Sequence, residues 1–598
     1  KLTIAGADSA LDIQSSGSLT SLIDITQMAG TMNVDGTLTT PGDYLLFTGA
    51  LSGSGTIVTP YFTNMMGIVA PGTMGSVGTL DFNGNIILTS GSVYGIDLGP
   101  NGASDLIRVN ATEFETQVTP EGFEEEVPLD GIASIGGTVI LNAVDGYAVR
   151  DGDTFTILTA EGGVEGTFES PDLSAILTSE FTYGPQSVQL TVEAGSYLDV
   201  IDPASTTQVA FAGLLDRNRA FYDNLADLYG PLDRLDAASI RSALESFAPS
   251  DVVAGGSLGI AALNNNSRLV SNRLARLGRD RNEGGSLAVM GQPTGVASLA
   301  MASSGVAAQA AMGADGTDYV REGALPDTLS GFIAGGYIDG ESTGLPASGN
   351  FEDKFDGFFI SGGLEKVFDT GALGFAFTYT DLDSDNLGAN RSAEGQLYQG
   401  TLYGVKDFSG LRLDAQVSAG AYDMSTLRNV SFGTSSFAIE GEETAFTFSS
   451  EIGLGKVIDL GSFDLTPRVA GRAAVIDFSN VAETGGGPAL TYDLGTYDSI
   501  QARAGLNLVG KAAFRPFLNA EYVHEFEDRP ALVGVNFVGG LAPAAGFALP
   551  GTDNDWVELS GGIGYQAGNI GLSVSAETTL EREDVSYQSY QATATFRF

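Results

Sequence analysis

The sequence predicts an all-β fold class in three parts, interrupted by one helical stretch. A right-handed parallel β-helix is expected over residues 1–200, an α-helical connector and flexible linker over 201–327, and a 12-stranded antiparallel transmembrane β-barrel over 328–598. Short apolar pieces recur between glycine turns in the first part, apolar residues fall at helical spacing in the second, and the third alternates apolar and polar residues strictly.

Residues 1–200 consist of strand-like pieces separated by Gly and Ser, such as GTMNVDGTLTT, GGTVILNAV and DTFTILTAEG. The spacing between the pieces is about one rung of a solenoid. In a parallel β-helix each rung stacks its Val, Ile, Leu and Phe side chains inward, and glycine relieves the corners. The acidic, proline-containing stretch 112–131 interrupts this pattern, so we expect a surface loop there.

The connector changes character at residue 201. Apolar residues at helical spacing run through residues 206–247, and residues 259–281 form a basic segment within an acidic chain. Arg268, Arg273 and Arg276 lie in this basic segment. Residues 283–327 are rich in Gly, Ala, Ser and Met without a clear period, which favours a flexible linker.

The last part alternates strictly, as in LRLDAQVSA from Leu411 and IGLSVSAET from Ile570. Twelve such strands are joined alternately by short turns and by long loops at 341–354, 385–393, 425–442, 480–495 and 527–554. Short turns on one rim and long loops on the other are typical of outer-membrane barrels, and an even strand number closes the sheet. The polar set of the alternation should line the pore, either for hydration alone or to hold a threaded segment: Arg412, Asp414, Arg468, Arg472, Arg503 and Glu577.

The final strand, SYQSYQATATFRF, places Tyr590, Phe596 and Phe598 on one face. A terminal Phe on an alternating strand resembles the signal by which outer-membrane barrels are recognised for insertion. Such a strand can pair with the open edge of an assembly machine. These three residues are therefore the expected barrel-assembly signal.

The segment from Gly78 to Asp105, followed by GGTVIL, FTILTAEGGVEGTF and SVQLTV, resembles the C-terminal end of an autotransporter passenger, including its autochaperone-like stretch. The strand number and the C-terminal Phe resemble the autotransporter (type Va secretion) translocator. The resemblance implies a helix threaded through the barrel. Arg268, Arg273 and Arg276 mark the candidate pore helix, a packed helix in a connector bundle is the equal alternative, and AAQAAM at 307–312 competes for the pore.

Some autotransporters cut themselves at paired asparagines on the pore helix. Asn264, Asn265 and Asn266 match that idea superficially, but a run of three Asn is more typical of a helix cap or a turn. The resemblance also places the barrel in outer-membrane lipid and the passenger on the cell surface, with the barrel-assembly machinery and host or neighbouring-cell surfaces as partners.

Composition excludes several other functions. The formal charge of −46 excludes a nucleic-acid partner, because phosphate binding needs a basic surface. With no Cys and a single His, at position 524, no catalytic set, cofactor site or transition-metal site is expected, and we predict no enzyme activity. Asp381, Asp383 and Asp385 are a weak calcium candidate in a predicted loop, and a solvated loop is the favoured interpretation.

The leading hypothesis is an autotransporter whose β-helical passenger is adhesive or structural. Two alternatives stay open. The chain begins at Lys1 without a Met, so an enzymatic passenger, an esterase or a protease, could precede it in the natural protein. The barrel could also be a porin-like channel with a periplasmic domain.

Overall fold

The computed structural model describes residues 1–118, 124–144, 147–169, 173–277, 329–345, 352–386, 391–527, 532–548, 553–567 and 570–597. The described chain divides into two compact units. The first contains residues 1–202, 226–242 and 432–435, and the second contains residues 203–225, 243–431 and 436–598. The expected loop or linker at 283–327, the competing helix at 307–312 and Phe598 lie outside the described residues.

Parallel strands dominate the first unit. One sheet runs in the order β1-β4-β7-β9-β11-β13-β18 and a second in the order β2-β5-β8-β10-β12-β17, and all neighbours along both runs pair in parallel. The strands of this unit are β1 (Leu2–Ile4), β2 (Ala10–Ile13), β3 (Ser18–Thr20), β4 (Ile25–Gln27), β5 (Thr31–Val34), β6 (Thr37–Thr39), β7 (Tyr44–Leu46), β8 (Ala50–Gly53), β9 (Thr56–Asn64), β10 (Ile68–Pro71), β11 (Thr79–Leu88), β12 (Val93–Leu98), β13 (Leu106–Asn110), β14 (Thr112–Val118), β15 (Glu124–Leu129), β16 (Ile132–Ile135), β17 (Thr138–Ala143), β18 (Thr154–Ala160), β19 (Gly163–Gly166), β20 (Leu177–Tyr183) and β21 (Ser187–Ala194).

The register of these strands stacks apolar side chains into one core. Leu38 lies opposite Ile57, and Ile57 lies opposite Phe82, each fully or almost fully buried. The rings of Phe62 and Phe82 have centroids 4.8 Å apart, and the ring of Tyr44 meets Phe62 edge-on at 5.0 Å. The alternation along each strand sends every second side chain into this core, which is why the short sequence pieces fold in register.

One glycine in this unit has no substitute. Gly84 sits at φ +131° where β11 shifts register against β9, and a Cβ there would lie 1.8 Å from the carbonyl oxygen of Thr59. Only glycine combines this backbone conformation with so close an approach.

The parallel pattern ends in an antiparallel sheet, because β21 pairs with both β18 and β20 in antiparallel fashion. The loop expected at 112–131 is instead an antiparallel hairpin of β14 and β15. Charge and proline do not prevent a two-stranded ribbon here, because its edges face solvent and Pro128 is tolerated on an edge.

The second unit contains a closed antiparallel barrel of twelve strands, in which β22 pairs with β38 and β27 pairs with β29. These strands are β22 (Leu329–Thr343), β23 (Glu352–Phe368), β24 (Gly371–Asn386), β25 (Arg391–Phe408), β26 (Leu411–Phe432), β27 (Ser435–Lys456), β29 (Phe463–Asp477), β32 (Thr496–Gly510), β33 (Phe514–Glu525), β36 (Asp555–Ala567), β37 (Ile570–Leu580) and β38 (Val585–Arg597), and the two-residue β28 (Ile458–Asp459) adds to β29.

Three of the expected long loops are structured. The loop expected at 425–442 is a continuation of β26 and β27, which meet at a turn of two residues. The loops at 480–495 and 527–554 contribute the strands of a separate four-stranded sheet: β30 (Asn480–Ala482), β31 (Leu490–Asp493), β34 (Leu532–Phe537) and β35 (Ala545–Ala548). The sequence pattern weakens there because these strands pack beyond the barrel wall, where the lipid-facing alternation is not required.

Between the two sheet systems, the described residues form four α-helices: α1 (Thr206–Asn218), α2 (Ala226–Leu232), α3 (Ala237–Ser246) and α4 (Ser250–Arg276). The hydroxyl of Ser205 caps α1 by accepting from the backbone N–H of Gln208. The longest helix, α4, begins nine residues before the basic segment that the sequence marked out.

Candidate functional site: a helix inside the barrel

Helix α4 occupies the lumen of the barrel and packs against β24, β25 and β38. Of its 27 residues, 22 are buried. Its first half is apolar and its second half is basic. The stretch Ala237–Arg276 is also long and apolar enough to cross a membrane by length and composition, but 83% of its most apolar window is buried inside the protein.

The helix runs from the loop-side end of the lumen to the turn-side end. At its start, Arg391 on the loop-side end of β25 donates to the hydroxyl of Ser250 and, at 3.1 Å, to the carbonyl of Ser246. At its end, Arg412 on the turn-side end of β26 donates to the carbonyls of Leu274, at 2.7 Å, and Leu277. A 27-residue helix is about 40 Å long, enough to traverse the whole barrel wall.

The apolar half of α4 approaches the wall through glycine. The hydroxyl of Tyr422 donates to the carbonyl of Gly255 at 2.5 Å. A Cβ at Gly255 would lie 2.4 Å from the sulfur of Met424, and one at Gly259 would lie 2.9 Å from the Tyr422 ring. These two glycines, one turn apart, therefore form the face that lets the helix lie close to β26.

The three consecutive asparagines lie in the middle of α4, so the expectation of a cap or turn is wrong. The side-chain amide of Asn266 donates to Gln399 and, at 3.3 Å, to the hydroxyl of Thr401. Both partners are uncharged. The described hydrogen bonds thus tie the Asn266 side chain to β25. None of them involves an acidic group of the kind that asparagine cyclisation requires.

Arg273 anchors the basic half. Its guanidinium binds the carboxylate of Glu365 through two nitrogens, one of them at 2.7 Å, and lies over the ring of Phe332 at 3.7 Å. Glu365 is 1% exposed and also accepts from Tyr403 at 2.8 Å and Ser330 at 3.3 Å. The two nitrogens fix the orientation of the guanidinium, and both carboxylate oxygens have hydrogen-bond partners. This is the arrangement in which a buried ion pair can offset the cost of desolvating its charges.

Three further polar side chains hold α4 against another part of the wall, at β36 and β37. Arg268 lies 3.4 Å from Glu558 and 3.7 Å from Glu577, and its guanidinium is 5.1 Å from the Tyr587 ring centroid. The amide of Asn272 donates to Glu577 at 2.9 Å. One turn later, Arg276 reaches Ser573 at 3.2 Å and lies over the Phe517 ring at 4.5 Å. All three arginines of the candidate pore helix thus face the barrel wall.

The six residues expected to line the pore are all on the inner face and all buried, and they fall into two groups. Three of them contact α4. Arg412 and Arg472 donate to its carbonyls, the latter to Leu263 at 3.4 Å, and Glu577 accepts from Asn272. The other three form part of an ion network beside the helix.

The centre of that network is Arg468. Its guanidinium lies 2.6 Å from Asp414, 2.5 Å from Glu451 and 3.0 Å from Glu521. Arg503 continues it, at 2.9 Å from Glu521 and in contact with Glu558, the carboxylate that also faces Arg268. The network therefore links the barrel wall to the helix.

Small cavities lie beside the helix. Two polar cavities of about 20 Å³ and 10 Å³ adjoin the network, and the hydroxyl-bearing side of Ser271 lines both. A volume of this size holds one or two water molecules. In the described residues, the lumen at this level is filled by protein side chains.

Sequence reasoning missed three carboxylates that contact the helix, Glu365, Glu451 and Glu558, and a fourth in the ion network beside it, Glu521. Their position in the alternation could have identified Glu521 and Glu558. Glu365 follows Gly362 and Gly363, where the glycines blur the alternation of β23.

The remaining predicted positions are placed separately. Asp381 and Asp383 lie on β24 and not in a loop, because that strand extends to Asn386, and Asp381 accepts from the Tyr379 hydroxyl at 2.9 Å. The side chain of Asp385 is outside the described residues. Among the residues that the structure describes, no group of three His, Cys, Asp or Glu side chains could hold a metal ion. Tyr590 is 51% exposed on the outer face of β38, and Phe596 pairs across to Gly331.

Comparison with known proteins agrees with the barrel geometry. Residues 332–577 match the family model described as the autotransporter beta-domain, which confirms the resemblance drawn for this part of the sequence. No curated protein matches the chain significantly. Among solved structures, the translocator domain of the autotransporter NalP from Neisseria meningitidis is 15% identical, with 46% of this chain and 90% of that chain covered and a TM-score of 0.38. The transport unit of AIDA-I from Escherichia coli is 12% identical, with 47% and 93% covered and a TM-score of 0.30.

Proposed function

Because residues 332–577 form an autotransporter β-domain of the outer membrane, we propose that this barrel translocates and anchors an N-terminal passenger on the cell surface. The stacked parallel strands of residues 1–200 are, in this proposal, the β-helical passenger, and residues 201–327 connect it to the barrel. The observation that carries the proposal is the course of α4, which fills the lumen from one end to the other.

The direction of α4 gives the orientation. The helix begins at the loop-side rim and ends at the turn-side rim, where the first barrel strand, β22, also begins with Leu329 paired to Lys366. In bacterial outer-membrane barrels the long loops are extracellular and the short turns periplasmic. Residues that precede α4 therefore leave the lumen on the extracellular side, which supports surface display.

Several anchors suggest that α4 remains in the lumen after translocation. Arg273, Arg268 and Asn272 each bind a buried barrel carboxylate. Withdrawing the helix would break these contacts, and the buried pair of Arg273 with Glu365 alone costs on the order of 3–5 kcal/mol when one partner is removed. The helix thus serves as a plug and as a tether for the passenger.

The passenger's proposed role is adhesive or structural and not enzymatic. The turns between its stacked strands expose large apolar side chains to solvent, including Leu22 at 82%, Met66 at 64% and Met74 at 100%. Exposed apolar side chains on a rigid scaffold can contact another surface. The segment 78–105, which holds β11 and β12 at the heart of the core, is the proposed autochaperone region, and Tyr590, Phe596 and Phe598 the proposed signal to the assembly machinery.

Surface proteolysis tests the proposal. Intact cells that express the chain are treated with a broad-specificity protease, and the remaining peptides are mapped by mass spectrometry. We expect residues 1–200 to be removed while α4 and the barrel strands survive. If residues 1–200 resist until the outer membrane is permeabilised, they are periplasmic and the porin-like alternative is correct.

An adhesion assay tests the passenger's role separately. Non-adherent cells that display the full chain should aggregate or attach more than cells that display a variant lacking residues 1–200. Equal attachment, with surface display verified by proteolysis, would remove the adhesive role and leave translocation and anchoring unaffected.

A further inference from the structure

The lysines of this chain are concentrated at one rim of the barrel. The sequence has six lysines, and four of them lie at the turn-side ends of barrel strands: Lys366, Lys406, Lys456 and Lys511. This clustering occurs in a chain whose formal charge is −46. Solubility alone does not explain it, because a strongly acidic chain is already well solvated.

Three of these lysines repeat one local arrangement. Lys366, Lys406 and Lys456 are exposed, and each is followed two residues later by an apolar residue on the same outer face, namely Phe368 (49% exposed), Phe408 (53%) and Ile458 (38%). The ammonium of Lys366 is 5.6 Å from the Phe368 ring, and that of Lys406 is 5.9 Å from the Phe408 ring. A charged tip beside a lipid-facing ring is the arrangement of a side chain at a membrane interface.

The arrangement forms a regular arc. The strands that carry these lysines alternate with strands that do not, in the order β23-β24-β25-β26-β27. Neighbouring strands are about 4.8 Å apart, so the three ammonium groups are spaced on the order of 10 Å along the rim. Lipid headgroups are spaced similarly, so adjacent phosphates can each meet one lysine.

Three of the four lysines at this rim are free for an external partner. Lys511 is bound by Asp459 at 2.6 Å and Asp464 at 2.8 Å. In the described part of the chain, Lys366, Lys406 and Lys456 have no carboxylate at ion-pair distance. On the outer face of the opposite rim, Asp339, Asp356 and Asp555 are exposed together with one lysine, Lys354.

We propose that Lys366, Lys406 and Lys456, with Phe368, Phe408 and Ile458, bind the phosphates of anionic phospholipid headgroups in the leaflet at the turn-side rim. The acyl chains would lie along the outer face of β23–β27, and the phosphates would accept from the ammonium groups. The proposal rests on the barrel spanning a bilayer, and it adds a preference for one class of lipid along one half of the circumference.

The test uses the full chain in nanodiscs that contain phosphatidylcholine and phosphatidylglycerol in equal amounts, with retained lipids identified by native mass spectrometry. The wild-type chain should retain phosphatidylglycerol preferentially at low salt and lose that preference at high salt. A lysine near an anionic surface contributes about fivefold in binding, so K366Q/K406Q/K456Q should lose most of the preference. The arginine variant K366R/K406R/K456R should keep it.

The control K1Q/K354Q/R108Q removes the same charge away from this rim and should behave as wild type. Folding of each variant is checked by its shift on unheated gels.

Retention of equal amounts of both lipids by the wild type, or an unchanged preference in the folded glutamine variant, overturns the proposal. A glutamine variant that keeps its lipid preference but loses binding to a periplasmic chaperone also overturns it, because the arc then serves a protein. If the variant does not fold, the salt dependence of the wild type decides. Failure of the chain to insert at all would instead refute the barrel's membrane role.

Discussion

The ion pair between Arg273 and Glu365 offers the sharpest test of how α4 is held. Glu365→Gln keeps the shape of the side chain and its contacts with Tyr403 and Ser330, but it removes the charge that balances a guanidinium 8% exposed. Breaking a buried pair from one side costs about 3–5 kcal/mol. The cation–π contact with Phe332, 3.7 Å from Arg273, is present in both proteins and still holds the unpaired guanidinium at the wall, so we expect a loss near the lower limit.

A loss of about 3 kcal/mol changes an equilibrium about two powers of ten. In E365Q the C-terminal end of α4 should therefore leave the wall far more often than in wild type. Single-channel recording in planar bilayers should show rare openings for wild type and frequent openings for E365Q, and the temperature at which the folded form is lost on unheated gels should fall.

The double variant R273M/E365Q removes both charges and should recover much of the stability, because no buried charge is left unpaired. Asp459→Asn breaks the exposed Lys511 pair and serves as the matched control, with no measurable change expected. The reasoning is refuted if E365Q remains as closed and as stable as wild type, or if the double variant loses as much as the two single variants combined.

Three other perturbations give distinct outcomes. Gly259→Ala places a Cβ 2.9 Å from the Tyr422 ring and should destabilise the helix in the lumen by about 1–3 kcal/mol. Gly256→Ala places a Cβ with nothing within 4 Å and should be neutral or slightly stabilising. Equal melting temperatures of the two variants on gels would contradict this. Burial raises the pKa of Asp105 from 3.8 to about 7, although hydrogen bonds from the N–H groups of Asp97 and Gly78 oppose this shift. Between these two pH values the folded state holds a proton that the unfolded state releases, so the stability of the first unit should fall as pH rises from about 4 to about 7 and then level off. Chemical denaturation of D105N at several pH values should lack this slope. Phe62→Ala, in the fully buried aromatic column of the first unit, should cost about 3–5 kcal/mol of unfolding free energy in denaturant titrations, while Tyr61→Ala, on an outward position 42% exposed, should cost far less.

Local pattern predicted the barrel because a lipid-facing strand must alternate. LRLDAQVSA and IGLSVSAET fixed the inner and outer faces of β26 and β37, and the inner set included Arg412 and Glu577, which contact α4. The sequence could not predict which polar groups on that inner face pair with each other, because Arg468 contacts residues on three other strands. These residues are Asp414 on β26, Glu451 on β27 and Glu521 on β33.

The loops show the limit of the same pattern. Beyond the bilayer the outer face no longer needs to be apolar, so at the end of β26 the apolar residues Val430 and Phe432 are the buried ones and the outward positions are polar. The prediction of a loop at Asp381 and Asp383 was wrong for the same reason. A strand that projects beyond the bilayer can carry carboxylates, so acidic residues there do not indicate a loop.

By itself, the sequence determined the strand number, the lipid-facing side and the helical character of the connector, because each follows from a periodicity of 2 or 3.6 residues within one segment. Only the tertiary structure decided that the helix is α4 from Ser250, that its arginines meet Glu365, Glu558 and Glu577, and that three lysines align along one rim. These depend on strand register and barrel closure, which bring together residues from tens to hundreds of positions apart, and a periodicity within one segment carries no information about such contacts.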